Sequence, residues 1–262
     1  MPEPIRIRAA QQADFPAFAR LFPELGTPDP DPDEQAWARI VDASWVLEED
    51  GEVRAYLYGQ VLPECGYVRN LVVAPEARGR GYGRRLMTSF ADRLRAHGIE
   101  RWELNVKPDN VPAIALYERL GMRPVYRTDV LRLTWAQAEA LPRAPADVAE
   151  VPPETDAEVE AALDVPRGLL ARGRAEGRHP IALHDPTGHP VGLALFDPDF
   201  PGAFPFRVAH PDLAGTLLDG LRPFARHPFL TLTAEGDEAL AERLVATGAT
   251  LMLRVVHYVG AP

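Results

Sequence analysis

Apolar positions in the first half of this chain switch between the two-residue period of a strand and the three-to-four-residue period of a helix. Ile5 to Arg8, Trp45 to Glu48, Val53 to Val61 and Tyr67 to Val73 read as strands, with the turn Glu49-Asp50-Gly51 between the second and third. Helical spacing covers Asp14 to Phe22 and Asp33 to Val41, on either side of the proline- and aspartate-rich TPDPDPD. The pattern breaks at Pro75. Leu86, Met87, Phe90, Ala91 and Leu94 then form an apolar helical stripe that runs out near His97. A strand from Arg101 to Val106, a helix with Ala113, Leu116, Tyr117 and Leu120 on one face, and strands around Val125 and from Val130 to Leu133 follow. Together these predict an α/β (mixed α+β) fold, a mixed and mostly antiparallel sheet flanked by helices.

The second half repeats this outline. Pro142, Pro145, Pro152 and Pro153 fall in a stretch from Ala136 to Pro153 that reads as a linker, giving expected domains at residues 1–140 and 150–262. Pro180 to Leu183 and Val191 to Phe196 read as a hairpin, and Phe204 to Ala209 ends at Pro211 as the earlier strand ends at Pro75. A helix over Leu213 to Ala225, a strand Phe229 to Thr233, a capped helix Asp237 to Thr247 and a strand Thr250 to Val259 close the chain.

Chemistry concentrates between the strand ending at Val73 and the helix that follows. LVVAPEARGRGYGRR carries Gly79, Gly81 and Gly83 with Arg78, Arg80, Arg84 and Arg85 interleaved. The first N–H groups of a helix lack internal partners and the helix dipole is positive there, while glycines let the backbone approach a phosphate closely. The segment therefore reads as a pyrophosphate cradle. It is neither a P-loop nor a dinucleotide fingerprint, because the spacing is neither Gly-x-x-x-x-Gly-Lys-Ser/Thr nor Gly-x-Gly-x-x-Gly. Downstream, Asn110 is a good N-cap, Pro112 falls in the first turn where a missing N–H costs nothing, and Gly121 ends the helix. Tyr117 lies on the packed face of that helix, where a ring is ordinarily core. In the second half, DLAGTLLDG follows Pro211 with no glycine cradle, and Leu244 stands four residues before Gly248 as Tyr117 stands before Gly121.

Val73, Pro75, Arg78, Gly79, Gly81 and Gly83 resemble the acetyl-coenzyme A loop of the GCN5-related N-acetyltransferases, Arg/Gln-x-x-Gly-x-Gly/Ala after the fourth strand. Leu104 to Gly121 resembles that family's second motif, and the resemblance covers residues 1 to about 135. It implies two tandem acyl-CoA N-acyltransferase-like domains, the second degenerate and without the cofactor loop. It implies direct transfer of an acetyl group from acetyl-CoA to an amine of a small molecule or peptide. Backbone groups from Arg78 through Gly79, Arg80, Gly81, Tyr82 and Gly83 to Arg84 would hold the pyrophosphate, Leu71, Val72 and Val73 would run beside the pantetheine arm, Asn110 would complete the site, and Tyr117 would protonate the departing thiolate. Ribosomal-protein acetyltransferases of the family carry a glutamate at the position of Asn105, and asparagine cannot take a proton. Glu103, Glu64 or a water chain are the remaining bases. The alternative is a non-catalytic acyl-CoA-binding sensor or scaffold.

Composition sets the limits. With 262 residues, 46% hydrophobic and 25% charged, the chain fits one large or two ordinary globular domains. Its net charge of -10, concentrated in the second half, has the wrong sign for a nucleic-acid footprint, so the Arg-Gly run predicts no nucleic-acid partner. No apolar segment approaches the roughly 18 residues of a membrane span, and MPEPIRIRAA lacks the apolar core of a signal peptide. With one cysteine, Cys65, the expectation is a cytoplasmic chain without membrane contact or internal disulfide, a monomer or homodimer. Its histidines show no metal-ligand spacing, so no metal is expected.

Overall fold

The computed structural model describes residues 5–27 and 30–262, so Pro28 and Asp29 of the TPDPDPD stretch and the opening Met1 to Pro4 lie outside the described residues. Two compact units emerge. The first runs up to Val125 and takes in His257–Pro262; the second is Tyr126–Val256.

In the first unit, strands β1 (Arg6–Ala9), β2 (Ser44–Glu49), β3 (Glu52–Val61), β4 (Gly66–Val73) and β5 (Trp102–Val106) lie side by side in chain order, and the end of the last strand of the chain follows β5. The pairings β1–β2, β2–β3 and β3–β4 are antiparallel, while β4–β5 is parallel. Helices α1 (Phe15–Leu21), α2 (Glu34–Ile40), α3 (Tyr82–Ala96) and α4 (Val111–Arg119) complete it. Helix α3 buries Tyr82, Leu86, Met87, Phe90, Ala91 and Leu94, the stripe read from the sequence with Tyr82 added. Each large side chain so buried contributes about 1.5–3 kcal/mol. The helix can sit this close because Gly59 of β3 has no side chain, and a Cβ there would stand 2.6 Å from the Phe90 ring.

The second unit contains the remainder: β6 (Arg123–Thr134, its first residues in the first unit), α5 (Trp135–Ala138), β7 (Asp147–Glu150), α6 (Asp156–Ala162), α7 (Leu169–Ala175), β8 (His179–His184), β9 (Pro190–Asp197), β10 (Gly202–Val208), α8 (Ala214–Leu221), β11 (Phe229–Glu235), α9 (Glu238–Ala246) and β12 (Thr250–Gly260, which returns to the first unit at His257). Its strand order is β12-β6-β11-β10-β9-β8-β7, and β10–β11 is its counterpart of the parallel β4–β5 pair. The core gathers Leu131, Leu133, Phe196, Phe206, Leu217 and Leu230. The proline-rich stretch from Ala136 to Pro153 lies inside this unit.

Three details depart from the sequence pattern. The two strands expected near Val125 and Val130 are one, β6. The helix expected over Leu213 to Ala225 stops at Leu221 and tightens into a 3-10 turn at Arg222–Phe224, because Pro223 has no N–H to continue it. Helices α6 and α7, each 7 residues, are too short to show a period. They are joined by the buried Glu160, whose carboxylate accepts the N–H groups of Gly168 at 2.8 Å and Leu170 at 2.9 Å.

Asp14 and Asp129 tie strands and turns together. Burial pushes the Asp14 carboxyl up, but hydrogen bonds from the Arg8 guanidinium and the Gln11 N–H outweigh it and leave the group below the usual range. The Arg254 fork, at 2.7 and 2.8 Å, holds Asp129 low as well. A carboxyl with a lowered folded pKa contributes stability that is complete above its unfolded value of about 4 and is lost as pH falls through the folded value. Denaturation midpoints should therefore hold steady from neutral pH down to about 5 and then drop, and Asp129→Asn should flatten that drop.

Candidate active site

Strand register creates the site. The β4–β5 pairing is confined to Gly66↔Trp102, Tyr67↔Glu103 and Val68↔Leu104, whereas β4 stays paired with β3 as far as Ala55↔Val73. Past Val68 and Leu104 the two parallel strands part, and the edge of β4 at Leu71–Val73 is released from its partner. A cavity of about 920 Å³ opens there, lined by Leu71, Val72 and Val73, by the loop and the first turn of α3, and by the face of α4.

The loop reaches this cavity through two backbone inversions. Gly79 (φ 76°) and Gly81 (φ 81°) are both left-handed, and a Cβ built at either meets nothing within 4 Å, so both face open space. Gly81 is the N-cap of α3 and offers no side-chain cap, and the first bond back to it comes from the Arg85 N–H at 3.0 Å. The N–H groups of Tyr82, Gly83 and Arg84 precede that bond and are the ones a helix cannot satisfy itself. Gly83 lies against Leu71, Val73 and Leu116. Arg84 lines the cavity and also a second hollow of about 660 Å³ shared with Gly81, Arg85 and Thr88.

On the opposite wall, Asn110 caps α4, its side-chain oxygen accepting the Ala113 N–H at 3.3 Å, and both residues line the cavity. Tyr117 is 6% exposed, and its ring lies 6.5 Å from that of Tyr258. Burial pushes its hydroxyl up, so the group stays protonated throughout the neutral range. Among the described residues the Tyr117 hydroxyl has no hydrogen-bond partner, and its side chain borders the cavity.

Of the residues that the sequence reading assigned to cofactor binding and proton donation, all but Arg80 line this cavity. That guanidinium is turned onto Glu49, which also accepts the Tyr82 hydroxyl at 2.7 Å; Arg80 and then Tyr82 hold the Glu49 carboxyl below its usual range. Arg80 thus braces the loop against β2. Arg78 donates to Glu24 at 2.6 Å across the cavity mouth. The sequence reading did not single out Ala77, Pro112, Ala113, Leu116 and Arg119 as cavity residues, although the apolar face shared with Tyr117 could have pointed to Ala113 and Leu116.

The candidate bases Glu103 and Glu64 are not among the residues that line this cavity. Glu103 and His257 are both buried, with Nε2 of His257 3.5 Å from Glu103 Oε2, and Arg101 donates to the same carboxylate at 3.1 Å. Burial pushes Glu103 up, but His257 and Arg101 more than offset it and keep the group ionised. His257 Nδ1 lies 3.1 Å from Asn105 Oδ1, and Asn105 Nδ2 donates to the Tyr67 hydroxyl at 2.8 Å. Cys65 is a buried free thiol, pushed up by burial, so it is no nucleophile.

The corresponding place in the second unit is filled by the chain itself. Residues 141–144 pass over the start of α8: the Ala144 N–H donates to the Asp212 carbonyl at 2.9 Å, and Thr216 Oγ1 to the Ala144 carbonyl at 2.7 Å. Arg143 clasps Asp219 at 2.6 and 3.0 Å, and a Cβ on Gly215 would stand 2.5 Å from the Pro142 carbonyl oxygen. These contacts cover the start of this helix with the chain's own backbone.

Among the described residues no helix is long and apolar enough to cross a membrane, and no three His, Cys, Asp or Glu side chains gather as a metal site. Residues 7–122 match the Acetyltransferase (GNAT) family. Over 85 residues the chain is 41% identical to the mycothiol acetyltransferase of Beutenbergia cavernae, covering 31% of this chain and 28% of that enzyme. Over 91 residues it is 32% identical to the L-2,4-diaminobutyric acid acetyltransferase of Nocardia farcinica, covering 33% of this chain and 47% of that enzyme. The chain thus matches half or less of the length of these relatives. Its fold is that of a tandem GNAT protein from the clavulanic acid biosynthesis pathway, with a TM-score of 0.60 and 18% identity over 100% of this chain and 98% of that one.

Proposed function

Residues 7–122 belong to the GNAT acetyltransferase family, and on that footing we propose that this chain transfers an acetyl group from acetyl-CoA to a primary amine, using its first unit only. The observation that carries this reading is one cavity that joins a freed strand edge, a glycine-lined helix N-terminus and Tyr117. A pyrophosphate fits the donors and space at Gly79–Arg84, with Arg84 as counter-charge. Bound there, acetyl-CoA would supply an acetyl thioester.

The released edge at Leu71–Val73 supports the next part. Backbone N–H groups there are free to face the thioester carbonyl, and a donor aimed at the developing oxyanion is worth about a hundred- to a thousandfold in rate. The amine nitrogen forms a bond to the carbonyl carbon as the carbon–sulfur bond breaks. Tyr117 gives its proton to the departing sulfur, and the proton lost by the amine leaves through solvent, which restores the phenol. Two relatives are a mycothiol acetyltransferase and an L-2,4-diaminobutyric acid acetyltransferase, each named for a small molecule, in keeping with a small-molecule acceptor. The reading retains a cytoplasmic chain, monomer or homodimer.

Calorimetric titration tests the use of one unit. Acetyl-CoA should bind once per chain, because residues 141–144 already occupy the start of α8. Two equivalent sites, or one that survives loss of the Gly79–Gly83 loop, would assign the wrong unit.

A further inference from the structure

The fork between β4 and β5 has two faces, and one of them is polar. Arg69 and Asn105 are the first residues of β4 and β5 beyond the last paired position, Val68↔Leu104. Arg69 is also a bulge residue: β3 pairs Tyr58 with Asn70 and Gly59 with Val68, leaving Arg69 without a partner position. The bulge turns its side chain onto the Tyr67 ring, with the guanidinium carbon 4.0 Å from the ring centroid. Arg69 Nε donates to Gln60 Oε1 at 2.9 Å, Gln60 in turn donates to the Tyr58 hydroxyl at 2.9 Å, and Asn105 fixes the Tyr67 hydroxyl.

This arginine is held but not neutralised. Its stem nitrogen and its flat face are engaged, the residue is exposed, and among the described residues no carboxylate forms an ion pair with it. Terminal guanidinium nitrogens fixed in this way present a two-pronged donor to an incoming carboxylate, the geometry in which arginine binds anions best. Surface arginines elsewhere in the unit, such as Arg54 and Arg78, are already matched to glutamates.

Building on the acetyl-transfer reading, we propose that the acceptor is an amine bearing a carboxylate, with the carboxylate on Arg69 and the amine at the fork. Paired strands lie about 4.8 Å apart, so Arg69 and Asn105, one residue beyond the last pair, flank an opening at least that wide, which admits a short amino acid. Arg69 is then a specificity-determining residue that touches the acceptor and not the acetyl group.

The test uses the full-length chain with glycine, β-alanine, 4-aminobutyrate and L-glutamate, each beside the same compound with its carboxylate amidated. Thiol release from acetyl-CoA gives turnover, and calorimetry on the chain loaded with coenzyme A gives acid binding. At least one acid should exceed its amide by about tenfold or more in kcat/KM, the scale of one charge-assisted bidentate contact. Arg69→Gln should erase that difference by raising KM with little change in kcat, and Arg69→Lys should restore part of it. If amides are acetylated as well as acids, or Arg69→Gln keeps the preference, the transfer reading stands and the acid site falls. Acids that bind through Arg69 without any thiol release would leave the acid site standing and sink the transfer reading. Failure of every acid to bind the loaded chain overturns the proposal outright.

Discussion

Gly81→Val is expected to weaken acetyl-CoA binding by at least about a hundredfold while the chain still folds. Phosphate bonds to the loop are charge-assisted, each worth about 1.5–3 kcal/mol, so losing two of them is enough. Two effects act together at this position. A β-branched residue is strained at the φ of 81° that Gly81 adopts, and its side chain would project into the open space where the phosphate must come. Gly81→Asn separates them, because asparagine tolerates the left-handed region while still placing a Cβ in the path. An asparagine variant that folds like the parent and binds poorly points to the ligand's approach. If both variants bind normally, the phosphate lies elsewhere.

Tyr117→Phe should leave acetyl-CoA affinity unchanged and lower turnover by about ten- to a thousandfold, the range for losing a positioned proton donor. The ring is buried against Tyr258 and phenylalanine keeps it there, so folding should be intact. The departing thiol has a pKa near that of cysteine, roughly 8.5, and leaves moderately well even unassisted, which makes the lower part of that range attainable. Under a pure packing role neither quantity would move, and parental turnover in Tyr117→Phe, with chemistry rate-limiting, would return the residue to the core.

The parts of this site written as local pattern were readable in advance. Gly79, Gly81 and Gly83 announce themselves by spacing, and Asn110, Pro112 and Gly121 bracket α4 by capping chemistry that depends on immediate neighbours alone. Residues whose roles depend on strand register were not readable. Arg80 looks like a phosphate ligand among its glycines, yet it meets Glu49 from 31 positions away. His257 reaches Asn105 across 152 positions, which no periodicity encodes. Arg69 is one arginine in an apolar strand, and its meaning comes from a bulge that only the pairing with β3 reveals. In the second unit the missing glycines were plain, whereas the covering of α8 by residues 141–144 required the fold.

Acetyl transfer itself is tested most directly by supplying acetyl-CoA labelled in the acetyl carbonyl and following the label with a set of primary amines. The account predicts that label appears in an amide in step with free coenzyme A, and that Gly81→Val abolishes both together. Binding of acetyl-CoA at the Gly79–Arg84 loop with no labelled amide from any amine, or label released only as acetate, would contradict it.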